Sequence, residues 1–306
     1  MKQMEWSTVG NDTYALGESP FWHPQENRLY WVDISGKKLL RMQADAAGVE
    51  AWDMPTEPGC IAPAASGGLV IALRDGVYRA RNWGGALQRI AQLPYDTTRI
   101  RANDGKCDVQ GRFWIGTIDE PKAGRAAELF SLDCRSGAAV ITRQAGDALT
   151  ANGLAWSPTN QVLYWADTPS HVVHAWDFDA QANQLSAHRI HLQFEPKPAG
   201  WTFEDTRYRG RPDGAAVDVQ GNYWVAMYEG RRVCQFAPDG RLLQELQTPA
   251  QCPTMPCFGG PDMRTLYVTS ARHGRSAEEL AKLPASGAVF ATRVDVAGLP
   301  AHTFAD

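Results

Sequence analysis

Two carboxylates and two amides, Glu18, Asn103, Asn152 and Asp213, each stand about ten to twelve residues ahead of an apolar, aromatic-rich run. The runs are Leu29-Tyr30-Trp31, Phe113-Trp114-Ile115, Leu163-Tyr164-Trp165 and Tyr223-Trp224-Val225. Side-chain oxygens of these types, brought to one point, are what a hard divalent cation collects. Residues so far apart in the chain meet only where the runs belong to a structural repeat, because a repeat carries equivalent positions to equivalent places. Taken singly, each of the four is also ordinary turn chemistry, as in Asn103-Asp104-Gly105 or Asp213-Gly214. Their shared phase is what favours a site.

Two further runs, Leu69-Val70-Ile71 and Leu266-Tyr267-Val268, complete a series spaced about 47 residues apart, near the period of a four-stranded propeller blade. Six such units take up about 280 of the 306 residues. The stretches Trp22-His23-Pro24-Gln25-Glu26-Asn27, Asp108-Val109-Gln110-Gly111, Ser157-Pro158-Thr159-Asn160 and Asp218-Val219-Gln220-Gly221 lead into four of the runs and read as hairpin turns between short strands. No long apolar stripe of helical period occurs. Residues 276–283, with Ser276 and Glu279 at capping-box spacing, are the one short helix expected. The architecture expected is all-β: a six-bladed β-propeller with four-stranded antiparallel blades around a central channel, residues 1–306 forming one domain. An open stack would leave bare strand edges, so either residues 5–15 or residues 287–295 should complete a blade begun by the other. Units two and six, around Cys60 and from Thr254 to Cys257, offer no carboxylate or amide in the same phase, which makes the site one-sided, as a substrate pocket should be.

Hydrophobic residues make up 44% of the chain and charged ones 21%, with 11 Trp, which supports a large core and argues against disorder. A net charge of −4, with Lys and Arg scattered among acids, gives no basic face for nucleic acid. No run approaches a membrane span, and the opening Met1-Lys2-Gln3-Met4-Glu5-Trp6 lacks the apolar core of a secretion signal, so a cytoplasmic monomer or weak homo-oligomer with no membrane partner is expected. Cys60, Cys107, Cys134, Cys234, Cys252 and Cys257 are dispersed and read as free buried thiols; the Cys252/Cys257 spacing matches no common zinc pattern. The pairs His171/His174 and His188/His191 are no natural chelates, because strand residues three apart face opposite ways.

The ordered set Gly17-Glu18-Ser19-Pro20, Arg101-Ala102-Asn103-Asp104-Gly105-Lys106, Gly111-Arg112-Phe113-Trp114-Ile115-Gly116-Thr117, Asn152-Gly153-Leu154-Ala155-Trp156-Ser157 and Pro212-Asp213-Gly214 resembles the gluconolactonase and regucalcin family, also called senescence marker proteins. Phe258-Gly259-Gly260 and Tyr267-Val268-Thr269-Ser270-Ala271-Arg272 echo it later, so the likeness spans essentially the whole chain. The resemblance implies one divalent metal ion in the channel, held by Glu18, Asn152 and Asp213, and a sugar lactone contacted by Arg101 and Asn103. A glutamate soon after the Gly-Thr pair touches substrate in some members; Glu120 matches it, with Asp119 beside it. Oxygen donors suit calcium, magnesium or manganese, while family members have been assigned calcium, zinc and iron, so the ion stays open among calcium, zinc, manganese, magnesium and iron(II).

These residues point to metal-dependent hydrolysis of an aldonolactone to the aldonic acid, in sugar oxidation. Asp213 is the expected general base, Glu18 the charge-neutralising ligand and Asn152 the neutral donor, while the Arg101 fork and Asn103 hold the sugar. The competing reading is a calcium- or metal-binding protein without turnover. An aryl or organophosphate esterase would want a channel histidine, and no histidine shares the repeat phase. Residues 192–212, carrying Phe194, Trp201, Phe203, Tyr208, Arg207, Arg209 and Arg211, form a long connection ahead of Asp213. It reads either as a partial lid or as a solvent or subunit-contact loop.

Overall fold

The computed structural model describes residues 4–23, 25–43 and 48–306; Pro24 of the first lead-in and Met1, Lys2 and Gln3 of the opening lie outside the described residues. Its strands form six antiparallel four-stranded sheets, the blades of a β-propeller. The first strands of blades one to six are Gly17–His23, Pro58–Pro63, Ile100–Cys107, Ala151–Trp156, Arg211–Val217 and Pro253–Gly259. Each packs on the first strand of the blade before and the blade after it, so the six form an inner ring. Closure comes from the start of the chain: Ser7–Thr8 is the outermost strand of blade six, with Ser7 opposite Ala291 and Thr8 opposite Phe290. The amino-terminal residues therefore complete a blade that the carboxy-terminal residues build, which removes the bare edge.

All six apolar runs lie in second strands: Arg28–Asp33, Leu69–Leu73, Phe113–Asp119, Val162–Asp167, Tyr223–Tyr228 and Thr265–Ser270. A strand inside a propeller is covered on both faces, which is why these runs are continuously apolar rather than alternating. Tyr30 and Val32 pack toward blade two, while Leu29 and Trp31 pack toward blade six. In blades three and five the hairpin acid reaches into this layer. Asp108 accepts hydrogen bonds from the backbone of Gln110 and Arg112 and from Trp114 Nε1 at 2.9 Å. Asp218 repeats this with Gln220, Asn222 and Trp224 Nε1. Each turn is closed by a left-handed glycine, Gly111 or Gly221. The one α-helix among the described residues is Ala277–Lys282, where Ser276 Oγ accepts from the Glu279 amide at 3.1 Å, the first half of the expected capping box.

Every first strand breaks register with its second strand near its start: between Glu18 and Phe21, Pro58 and Cys60, Ala102 and Gly105, Asn152 and Ala155, Pro212 and Ala215, and Pro253 and Pro256. Such irregularities re-aim side chains, and the candidate site residues sit at them. After the last strand the chain straps one end of the ring: Leu299 donates to Val217, Phe304 to Pro63 and Ala305 to Gly111, and the Asp306 side chain meets Arg79 at 2.6 Å. All six cysteines are free, and five are buried. No helix among the described residues is long and apolar enough to cross a membrane.

Candidate active site

Glu18, Asn103, Asn152 and Asp213 lie at equivalent places near the starts of the first strands of blades one, three, four and five, and all four are buried. Asn103 Nδ2 donates to Asn152 Oδ1 at 2.8 Å and to the Ala151 carbonyl at 2.9 Å, which joins blades three and four. Asn152 Nδ2 in turn donates to Thr168 Oγ1 at 2.8 Å, leaving its amide oxygen turned toward Asn103. Blades two and six bring Gly59 and Thr254 to the same level, and Thr254 Oγ1 is spent on the Thr269 hydroxyl at 2.8 Å.

Glu18 and Asp213 are near enough to feel one another's charge. Burial, then Asp213 and Asp104, hold the Glu18 carboxyl well above the ordinary carboxylate range. Asp213 is pushed up to about 8 by burial, with Asp104 adding and Arg211 opposing. Glu18 Oε2 accepts from the Ser19 amide at 3.0 Å, and among the described residues no lysine or arginine forms an ion pair with either carboxylate. Two buried like charges of this kind are costly unless a proton or a cation sits with them. No three His, Cys, Asp or Glu side chains gather into a cage among the described residues, so a cation here would need amide oxygen and water to complete its sphere. The donors present, two carboxylates and the Asn152 amide, fit a hard divalent ion of that kind.

Arg101 Nη1 donates to Asn103 Oδ1 at 2.9 Å and to the Ala102 carbonyl at 2.9 Å, so the guanidinium is braced against the cluster. Glu120 lies 3.4 Å from Arg101 Nε and takes two hydrogen bonds from Arg74, at 2.9 and 3.0 Å. Arg74 also bonds Glu57, giving a polar chain that runs from blade two through Glu120, Arg101 and Asn103 to Asn152. Asp119 is different: fully buried, it accepts from the Gly124 amide at 2.9 Å and shapes the turn after the strand. The sequence string therefore splits into a turn acid, Asp119, and an acid in the network, Glu120. Several site neighbours had no role assigned from sequence: Asp104, Lys106, Thr168, Arg74, Lys122 and Glu229. Asp104 accepts from the Leu154 amide at 2.8 Å across the blade boundary, and only its place beside Asn103 hinted at it.

The connection ahead of Asp213 is pinned down. Tyr208 OH meets His171 Nε2 at 2.7 Å and its ring lies edge-on to Trp201; Lys197 Nζ reaches Glu229 at 2.8 Å. Phe194 packs against Phe236 beside the blade four and five core rather than at the site.

A six-bladed propeller with acids and amides gathered at the starts of its innermost strands is the class that fold and site define. The SMP-30/Gluconolactonase/LRE-like region profile matches residues 16–272, and the chain belongs to that family. It is similar to 6-deoxy-6-sulfogluconolactonase of Pseudomonas putida, 41% identical over 291 residues and 95% of each chain. It is also similar to regucalcin of Gallus gallus, 34% identical over 313 residues and 100% of each chain. Among solved structures, a calcium-binding regucalcin from Agrobacterium tumefaciens shares the fold with a TM-score of 0.89 at 22% identity, covering 99% of this chain and 98% of that one.

Proposed function

We propose that this protein hydrolyses a sugar lactone, an aldonolactone opened to its aldonic acid, with one divalent metal ion held by Glu18, Asn152 and Asp213. Such an ion, when bound, polarises the lactone carbonyl and stabilises the negative charge that develops as water attacks. Asp213 is the general base: its carboxylate, beside Glu18 and Asp104, is placed to take a proton from the attacking water. Glu18 remains ionised as the second anionic ligand. Arg101, braced by Glu120 and Asn103, presents its remaining donors to ring and hydroxyl oxygens. Asn103 orients Asn152 through its Nδ2, and its Oδ1, which accepts from Arg101, keeps a second lone pair for a substrate hydroxyl.

The observation that carries the reading is the convergence of two buried, uncompensated carboxylates with the Asn103–Asn152 amide pair, in a chain 41% identical to a named lactonase. Whether the substrate bears a substituent, as the sulfo group in that relative's name does, is decided by residues away from the reacting carbonyl. The test is protein stripped with chelator, reloaded with single metals and assayed on five- and six-carbon aldonolactones against an enzyme-free control, since these lactones open spontaneously. Metal-restored ring opening supports the proposal. Metal binding with no turnover on any lactone would replace it with a metal-binding protein, the reading that the regucalcin relative keeps in view.

A further inference from the structure

We propose that His174 and His188 form a second metal site, on the outer strands of blade four, that takes a borderline transition ion: Cu²⁺ foremost, Ni²⁺ or Zn²⁺ after it. The inference stands apart from the lactonase reading, because neither residue belongs to the inner ring that carries Glu18, Asn152 and Asp213.

The two imidazoles come from neighbouring strands. His174 lies on Val172–Asp179, the third strand of blade four, and His188 on Gln184–Gln193, the outermost. Ala175 stands opposite Arg189 and Asp177 opposite Ser186, so Ala187 and His188 together face Trp176 alone. That is a β-bulge, and Ala187 within it is left-handed, with φ 47°. An alanine stays in that conformation only where the surrounding structure holds it there. The bulge carries His188 over His174: Nε2 of His188 stands 3.0 Å from Nδ1 of His174, with ring centres 5.0 Å apart.

That separation suits a shared cation as well as a shared proton. Metal–imidazole bonds of about 2.0–2.1 Å, meeting at the angles of a square-planar or tetrahedral ion, hold their nitrogens about 2.8–3.4 Å apart. A small turn of each ring aims both lone pairs at one ion, and the exposed His188 has room to make it. Trp176 lies against both rings, its centre 4.7 Å from that of His188 and 5.6 Å from that of His174. Burial, then the nearness of His188, holds His174 below the ordinary histidine range, with Asp167 opposing and Arg125 adding, so at neutral pH a proton competes weakly with a metal for its nitrogen. No third His, Cys, Asp or Glu joins the pair among the described residues, so water completes the sphere. Two nitrogen donors without a carboxylate select against calcium, magnesium and manganese, the ions that oxygen donors suit, and among first-row ions such donors hold Cu²⁺ most tightly.

The test titrates the chelator-stripped full chain with Cu²⁺ in the presence of excess calcium, which oxygen donors take up and imidazoles do not. The expected result is one equivalent of Cu²⁺ bound in the micromolar range, with imidazole nitrogen splitting in the electron paramagnetic resonance spectrum and a partial loss of tryptophan emission. Zn²⁺ should compete for the site. His174→Gln and His188→Gln should each weaken this binding at least about tenfold, while Trp176→Phe should keep the affinity and lose much of the change in emission. His188 is exposed, so His188→Gln keeps the test usable if His174→Gln folds poorly. Cu²⁺ binding that survives both substitutions, a spectrum without nitrogen splitting, or no binding below about 0.1 mM would overturn the inference and leave the pair as a hydrogen bond between two strands. None of these outcomes bears on lactone opening, so the two proposals fail separately.

Discussion

The innermost strands are polar near their starts and apolar three residues later. Glu18 gives way to Phe21, Asn152 to Ala155, Asp213 to Ala216 and Thr254 to Cys257, all on one ring of strands. At the second level lies a cavity of about 110 Å³ lined by Phe21, Trp22, Val217, Cys257 and Phe258 and roofed by Leu299 of the carboxy-terminal strap. The same backbone carries both levels, so the contrast is one of side-chain chemistry. At the far level rings and methyl groups replace water contacts, which stabilises the ring. At the near level carboxylates are buried against their own preference, a cost that stability alone would not maintain.

Removing the near-level acid is the sharpest way to break this contrast. Asp213→Asn should lower lactone turnover by about 10²–10⁴-fold, with circular dichroism unchanged, because the side chain contributes nothing to packing that Asn does not. Turnover near wild type in that variant would take Asp213 out of the mechanism.

The next effect appears in stability against pH. The Asp213 carboxyl titrates at its ordinary 3.8 when unfolded and at about 8 when folded, through burial and Asp104, with Arg211 and Lys122 opposing; Glu18 is raised as well. Between those values the folded chain holds a proton that the unfolded chain has released, so stability falls as pH rises through the window and levels off above it. A bound divalent cation favours the ionised acids and should flatten the slope. In chelator, Tm should therefore drop from about pH 5 to about pH 8, and calcium or manganese should remove most of the drop. A Tm that ignores pH in chelator would mean that the two acids are already compensated within the protein.

The far level should answer in the opposite way. Phe21 is buried and stacked on Tyr30 with ring centres 5.0 Å apart, in the core between blades one and two. Phe21→Ala should cost about 3 kcal/mol of stability while the turnover of the molecules that remain folded is kept. A loss of turnover out of proportion to the loss of folded protein would show that the two levels are coupled.

Much of the near level was legible because the repeat leaves local marks. All six apolar runs proved to be second strands, the phase of Glu18, Asn103, Asn152 and Asp213 proved to be one level of the inner ring, and closure joins residues 7–8 to residues 290–291. What stayed hidden depends on pairing between strands. The register break in every first strand is a relation between two strands, not a composition. Asp108 and Asp218 read as turn residues, yet their carboxylates also hold the indoles of Trp114 and Trp224. In blades one and four the same position of the run holds Tyr30 and Tyr164, and no hairpin acid is needed there. Likewise, spacing along the chain dismissed His171/His174 and His188/His191, but across strands His174 and His188 meet at 3.0 Å. Arg74, Thr168 and Glu229 reach the site from loops whose ends only the closed ring brings together.

The smallest effect concerns the one cation at the apolar level. Lys106 occupies the place that Phe21, Ala155 and Ala216 take in other blades, lines the cavity and donates to the Ala215 carbonyl. Burial pushes its ammonium below the ordinary lysine range, with Asp104, Cys257 and Glu18 opposing, and burial raises Asp104, one of whose oxygens has no partner. Burial thus works against the charge of each group while each favours the charge of the other, and Lys106 serves as one donor on a long apolar stem. Met keeps most of that stem, so Lys106→Met should cost about 1 kcal/mol, the worth of one hydrogen bond. In Lys106→Met combined with Asp104→Asn the two losses should then add to within about 0.5 kcal/mol. A single-variant loss of about 3 kcal/mol or more, relieved when Asp104 is also neutralised, would show instead that a charged pair spans the two levels. In that case the far level helps to hold the near one's charge, and the boundary between them lies below Lys106 rather than above it.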